Sequence, residues 1–158
     1  MSAPEIDVRL RPVIDSDLPV LYEQQRDPEA AWQADFQMRE WEPFLAHWQK
    51  ILAKEDVSAR VILAGEQVAG EIASFDMDGH REVGYWLGRE FWGRGIATRA
   101  LAAFVELVEF RPLYGYVIKE HLASQRVLQK CGFRPCGSAR EFSALRQAEV
   151  EFAILVLE

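Results

Sequence analysis

A chain of 158 residues, 49% hydrophobic and 11% aromatic, suits one domain over residues 1–158 with a sizeable core and is too apolar to be disordered. Its 25 acidic residues exceed its 18 basic ones, and the formal charge of −7 disfavours nucleic-acid partners, because no basic stripe exists to displace counterions; the negative field favours a cationic second substrate such as an amine. No apolar run approaches the roughly 18 residues of a membrane span, the start from Met1 to Asp7 has neither a basic region nor an apolar core, and Cys131 and Cys136 stand without metal-ligand spacing or a disulfide framework, so a soluble cytoplasmic protein with packed thiols and no metal is expected.

In chain order, Ile6 to Val13 alternates as a half-buried strand, and Asp15 or Ser16 is placed to cap a helix through Leu18, Leu21 and Tyr22, which Pro28 interrupts. The aromatics Trp32, Phe36, Trp41, Phe44 and Trp48 follow, partly at helical spacing, as a core stripe. Arg60 to Ala64 and Gln67 to Phe75 read as a hairpin around Gly65-Glu66, and the turn Asp76 to Gly79 leads to a strand from Arg81 to Leu87. A helix from Gly95 to about Glu109 has Ala97, Leu101, Phe104 and Val108 on one stripe and ends before Pro112, after which Leu113 to Ile118 reads as a buried strand. That strand, helix and strand require a parallel pair. A helix over Ala123 to Cys131 and strands near Phe133 to Ser138 and Glu149 to Leu157, joined by a polar stretch around Ser143 to Gln147, complete the chain.

The turn Phe91-Trp92-Gly93-Arg94-Gly95-Ile96-Ala97-Thr98-Arg99 reads as a phosphate cradle. Two glycines at a strand-to-helix junction let the backbone approach an anion, and the helix's first amides point at it. Such a turn also occurs without any ligand. A second segment, His121-Leu122-Ala123-Ser124-Gln125-Arg126-Val127-Leu128-Gln129-Lys130-Cys131-Gly132-Phe133, is a short helix stopped at Gly132. Together, in this order, the two resemble the GCN5-related N-acetyltransferase (GNAT) family. The first is similar to its pyrophosphate motif, Gln/Arg-X-X-Gly-X-Gly/Ala, and the second to Asn-X-X-Ser-X-X-X-Leu-X-Lys-X-Gly-Phe. Tyr85-Trp86-Leu87, Trp92 to Ala97 and Ala123 to Leu128 are nearest to the branch that includes ribosomal-protein N-terminal acetyltransferases.

The resemblance implies an α/β fold: a mixed, mostly antiparallel sheet of six or seven strands with helices on both faces and a splayed parallel central pair, Glu82 to Leu87 and Leu113 to Ile118. Acetyl-CoA would lie in the splay as co-substrate for transfer to a primary amine, of a small molecule or a protein N-terminus, with a homodimer left open. It places Trp86, Leu87, Trp92, Gly93, Arg94, Gly95, Ile96, Ala97, Thr98, His121 and Ser124 around the cofactor. Arg94 or Arg99 would add a side-chain contact unless each only solvates the helix start, and the Leu87 amide would point at the thioester oxygen. Transfer to an amine needs a proton acceptor, because an alkylammonium has a pKa of about 10.4. Glu82, at the start of the strand where the family often carries a catalytic carboxylate, is the chosen base, against the plainer reading of an exposed strand-end glutamate paired with Arg81 or another neighbour. His80 is next, and Glu149 and Glu151 are further carboxylates for a cationic substrate.

For the leaving thiolate many members use a tyrosine on the second motif's helix, but Leu128 occupies that position and closes the route. The resemblance gives the role to Ser124, which could instead be a helix cap. His121 replaces the usual asparagine, and Trp92 the usual Gln or Arg. A non-catalytic acyl-CoA-binding module is the alternative function. No Lys-Ser or Lys-Thr follows the glycines as a P-loop needs, and the turn lacks the third glycine of a dinucleotide-binding fold.

Overall fold

The computed structural model describes residues 6–158, so Met1 to Glu5 of the N-terminal stretch read above lie outside it. Strand β1 (Val8–Pro12) is shorter than the alternation suggests. Asp17, rather than Asp15 or Ser16, organises the entry to α1 (Leu18–Gln25): its carboxylate accepts the Ile14 amide at 2.9 Å and both arms of the Arg11 guanidinium at 2.7 and 2.8 Å. Those charge-assisted bonds hold the buried Asp17 carboxyl below the usual carboxylate range.

Pro28 opens a helix instead of breaking one. It is the first residue of α2 (Pro28–Ala34), where its missing N–H costs nothing, and the Asp27 carboxylate caps the amides of Glu29 and Ala30. Helix α3 (Trp41–Leu52) divides the aromatic stripe. Phe44 and Trp48 are buried with Leu18 and Leu21, whereas Trp32 and Trp41 are exposed and Phe36 lies against Trp86 with ring centres 5.0 Å apart.

The remaining elements are β2 (Ser58–Ala64), β3 (Gln67–Met77), β4 (His80–Leu87), α4 (Ile96–Leu107), β5 (Leu113–Ile118), α5 (Leu122–Lys130), β6 (Arg134–Ser143) and β7 (Ala148–Leu157). They form one seven-stranded sheet in the order β1-β2-β3-β4-β5-β7-β6, in which only β4 and β5 are parallel. Asp78 and Gly79, both at positive φ, make the β3–β4 turn. Strand β6 runs to Ser143, beyond the expected end near Ser138, because it is a ribbon on β7 with mostly exposed side chains and therefore lacks the apolar alternation of a core strand.

Both faces of the first half of the sheet are covered. Ile96, Ala100, Leu101 and Phe104 of α4 and Leu128 of α5 pack on Ile62, Ile72, Val83, Leu113 and Leu155, while α1 and α3 cover Ala59 and Ala73 on the reverse. On β4 this sorts the side chains: Val83, Tyr85 and Leu87 face α4 and α5, and Trp86 faces α1, its indole N–H donating to the Gln24 carbonyl at 3.0 Å. Among the described residues no helix is long and apolar enough to cross a membrane.

At Gly70 on β3 a Cβ would stand 1.9 Å from the Trp86 carbonyl oxygen, a backbone atom that cannot swing aside. Gly70→Ala is expected to cost about 3 kcal/mol by forcing β3 from β4. Urea unfolding reads the loss as a lower midpoint; a change within about 0.5 kcal/mol, the range of a neutral surface substitution, would refute it.

Candidate active site

β4 and β5 pair only at Arg81 with Leu113 and Glu82 with Tyr114, and beyond those two rungs they part. The opening is a cleft of about 560 Å³ that passes through the sheet, lined on one face by Ser124 and Val127 of α5 and on the other by Ala30 and Gln33 of α2. Gly115 lets α5 sit this close to β5, since a Cβ there would meet Leu128 at 2.8 Å.

The edge of β4 that faces the opening has peptide groups to offer. The Gly88 amide donates to the Ala69 carbonyl at 2.9 Å, and because antiparallel pairs alternate, the neighbouring pair of Gly70 and Leu87 makes no mutual bonds. The N–H and C=O of Leu87 therefore point away from β3 and into the splay, as do those of Tyr85. The Leu87 carbonyl takes the Trp92 indole N–H at 3.1 Å. Its amide is turned to the cleft, ready to pair with an extended ligand as an added strand would.

At the end of the cleft, Gly93 and Gly95 adopt φ of 71° and 74°, a left-handed backbone that favours glycine, and a Cβ on either would meet nothing within 4 Å. Helix α4 begins directly after Gly95. Arg99 is the residue whose amide bonds the Gly95 carbonyl, at 3.2 Å, which leaves the Ile96, Ala97 and Thr98 amides as the open first turn, with no acidic side chain beside them. A pyrophosphate fits such a concavity by its charge and by the space the glycines leave. The cradle works through backbone: the Ile96 side chain is buried in the core, and the Thr98 carbonyl accepts the Cys131 thiol at 3.3 Å.

The two arginines differ. Arg94 is exposed and only loosely held, donating to the Glu90 carbonyl at 3.3 Å, whereas the Arg99 guanidinium is tied to the Ile6 carbonyl and turned from the cradle. Trp86 lines the cleft from the α2 side, with Phe36 behind it. His121 lines it from the start of α5, where burial pushes its imidazole below the usual range and keeps it neutral.

Ser124 is no helix cap. His121 holds the N-cap position, and the Ser124 hydroxyl instead shares a 2.9 Å hydrogen bond with the phenol of Tyr85, which reaches across from β4. Burial pushes the Tyr85 phenol up to about 12, so it keeps its proton at neutral pH. A phenol that α5 lacks at Leu128 is thus present on the strand opposite, beside Ser124. Tyr85 was recognisable only as part of the Tyr-Trp-Leu pattern; its place on the same face as Val83 and Leu87 was the available signal.

Glu82 is paired with a neighbour, as the plainer reading allows, but it is not exposed and the neighbour is not Arg81. Its side chain is 12% exposed and shares a 2.9 Å hydrogen bond with His80 Nε2, while Arg81 lies 3.9 Å over the Phe110 ring. Burial pushes the Glu82 carboxyl above its usual range, with the His80 contact opposing. The pair stands on the reverse face from Ser124. There His80 stacks on Tyr116, 5.7 Å between ring centres, and opens onto a groove of about 720 Å³ along β5, β7 and β6. Tyr116 lines both groove and cleft and marks where they meet. Glu149 and Glu151 lie elsewhere, in exposed ion pairs with Arg140 and, for Glu151, Lys119. Among the described residues no three His, Cys, Asp or Glu side chains gather as metal ligands would.

A family model described as an acetyltransferase (GNAT) domain matches residues 7–134. No curated protein sequence matched the chain. Among solved structures, the chain is similar to RimL, a ribosomal L7/L12 alpha-N-protein acetyltransferase in complex with coenzyme A, at 19% identity and a TM-score of 0.79 over 95% of this chain and 94% of that one. Mycobacterium smegmatis RimJ aligns at 20% identity and 0.79 over 95% and 81%. A spermidine N-acetyltransferase from Vibrio cholerae, in complex with coenzyme A and spermine, aligns at 15% and 0.80 over 94% and 95%.

Proposed function

Because the chain belongs to the GNAT acetyltransferase family, whose co-substrate is acetyl-CoA, we propose that it transfers acetyl directly to a primary amine, of a small molecule or a protein N-terminus, with the two substrates entering from opposite faces of the sheet. The observation that carries this reading is the junction at Tyr116, where a cleft with a strand edge and an anion cradle meets a groove lined at its head by His80, the hydrogen-bond partner of Glu82.

In this reading the amides of Gly93 to Thr98 hold the pyrophosphate, with Arg94 free to add a contact, and Leu87 pairs with the pantetheine arm and aims its N–H at the thioester oxygen. Trp86, Trp92 and His121 form the walls along that arm; His121 offers one donor and one acceptor in place of an asparagine amide. Acetyl-CoA supplies the activated acyl group. Glu82, directly or through a water and with His80 beside it, takes the proton from the arriving ammonium, so that the neutral amine attacks the carbonyl carbon, the Leu87 amide stabilises the developing oxyanion, and the carbon–sulfur bond breaks. Tyr85, oriented by Ser124, gives its proton to the departing sulfur and recovers one through solvent as the acetylated nitrogen loses its second proton, while Glu82 releases the first to solvent.

The test is release of free coenzyme A thiol from acetyl-CoA on addition of primary amines, both small amines and peptides with free N-termini, with acetylated product identified by mass. The reading requires amine-dependent release. Tight acetyl-CoA binding with no release for any amine would instead favour the acyl-CoA-binding module.

A further inference from the structure

The groove on the reverse face carries a charge layout of its own. Glu82 on β4 is in register with Tyr114 on β5, Tyr114 with Val156 on β7, and Val156 with Arg134 on β6. Residues in register on neighbouring strands share a face, so a carboxylate, a phenol, an isopropyl group and a guanidinium form one row across four strands. Three strand spacings put its ends about 14 Å apart. The middle is apolar and aromatic: Tyr114, Tyr116, Ile154 and Val156 line the groove, with Pro112 at its side.

The two ends differ in sign. Near Glu82, His80 lies against the carboxyl, and Glu141 and Asp78 are two further acidic groups close enough to bear on it. The far end has Arg134 and Arg111, a local exception in a chain of net charge −7. Arg111 is spent on the backbone, donating to the carbonyls of Val105, Val108 and Phe110. Among the described residues Arg134 pairs with Glu158 alone, and that pair is 62% and 61% exposed, the kind of surface ion pair that contributes little and exchanges partners readily.

We propose that this groove selects acceptors by a second group: a primary amine that carries a carboxylate or phosphate roughly 10 Å along an extended chain, seated with its amine at the His80–Glu82 pair and its anion on Arg134 in place of Glu158. This rests on the acetyltransferase reading and narrows its acceptor. The length excludes an ordinary α-amino acid, whose own carboxylate lies too near its amine. It suits a peptide N-terminus with an acidic side chain at the third or fourth residue, at about 3.3 Å per extended residue, or a long aminoalkanoate. The negative field of the protein acts on the ammonium end and the arginine on the tail.

The experiment compares kcat/KM for three probes: a tetrapeptide with aspartate at its fourth position, the same peptide with asparagine there, and 8-aminooctanoate. The wild-type protein should prefer the aspartate peptide by about 10-fold, the scale of one charge-assisted contact. Arg134→Ala should abolish that preference and Glu158→Gln should increase it, and opposite signs from two exposed positions separate recognition from a folding defect. Turnover of 8-aminooctanoate with the same Arg134 dependence identifies the shared chemistry as the separation of amine and anion; turnover of the peptide alone assigns the groove to chain termini.

Equal use of the aspartate and asparagine peptides, or a preference untouched by Arg134→Ala, overturns the inference while leaving the acetyltransferase intact. Calorimetric binding of the N-acetylated aspartate peptide in the presence of coenzyme A reads the groove without the chemistry. Arg134-dependent binding there with no turnover of any amine would uphold the anion subsite and remove the catalytic reading.

Discussion

Tyr85→Phe is expected to lower kcat by about 100-fold while leaving acetyl-CoA affinity within about 3-fold, the magnitude of losing one positioned proton donor. The phenyl ring retains the packing of Tyr85 against the α4 and α5 core, so the fold survives, at a cost of about 1 kcal/mol for the lost hydrogen bond to Ser124. What disappears is the only phenol bonded to the α5 hydroxyl at the cleft. Because burial keeps that phenol at about 12, it remains protonated through the working range, and Tyr85→Phe should lower the whole pH profile without moving its acidic limb. Ser124→Ala removes the orienting partner and leaves the donor, so its effect should be smaller, about 10-fold. Stopped-flow measurement of thiolate release separates these from slow product release. A Tyr85→Phe enzyme within 3-fold of the wild type would remove the phenol from the mechanism.

Glu82→Gln should reduce kcat by a further order, about 1000-fold at neutral pH, since the acceptor arrives as an ammonium with pKa of about 10.4 and loses its proton only to a placed base. In the proposed mechanism ionised Glu82 is the active form. Burial raises its carboxyl above the usual range, so activity should rise with pH along a limb displaced upward from an ordinary carboxylate, and Glu82→Gln should erase that limb. The hydrogen bond from His80 pulls the other way, favouring the ionised carboxylate. Removing it in His80→Ala should therefore move the limb to still higher pH. A Glu82→Gln profile that keeps both height and shape would assign proton removal elsewhere, and a limb that moves downward in His80→Ala would contradict the pairing.

The parts of this site that were legible in sequence are those where backbone dictates residue type. Gly93 and Gly95 sit at positive φ, the α4 amides follow them, and Gly132 ends the short turn after α5; such positions leave glycine at fixed spacing whatever the ligand. The parallel β4–β5 pair followed from chain connectivity, with one helix between two strands. Contacts between distant segments were not legible. Tyr85 and Ser124 meet across 39 positions, and nothing local marks either as the other's partner. A search along α5 for a phenol finds Leu128, which is fully packed beneath Gly115, and misses the hydroxyl that enters from the strand. Pro28 misled for a different reason: a proline that starts a helix and one that breaks a helix look alike until the preceding Asp27 is seen capping. The aromatic stripe had helical spacing, but α2 and α3 are separate helices and its members divide between core and surface. The row from Glu82 to Arg134 involves four strands whose register only the assembled sheet fixes.

The central claim is that the splay between β4 and β5, with the cradle at its end, binds acetyl-CoA. Its most direct test is calorimetric titration of the purified protein with acetyl-CoA beside a Gly95→Glu variant, whose side chain projects into the space now open at that glycine and brings a negative charge to the phosphate position. Micromolar or tighter binding by the wild type is expected, with a loss of at least about 100-fold in a variant whose circular dichroism shows it folded. A wild-type protein that does not bind acetyl-CoA, or a folded variant that binds it equally well, would contradict the account.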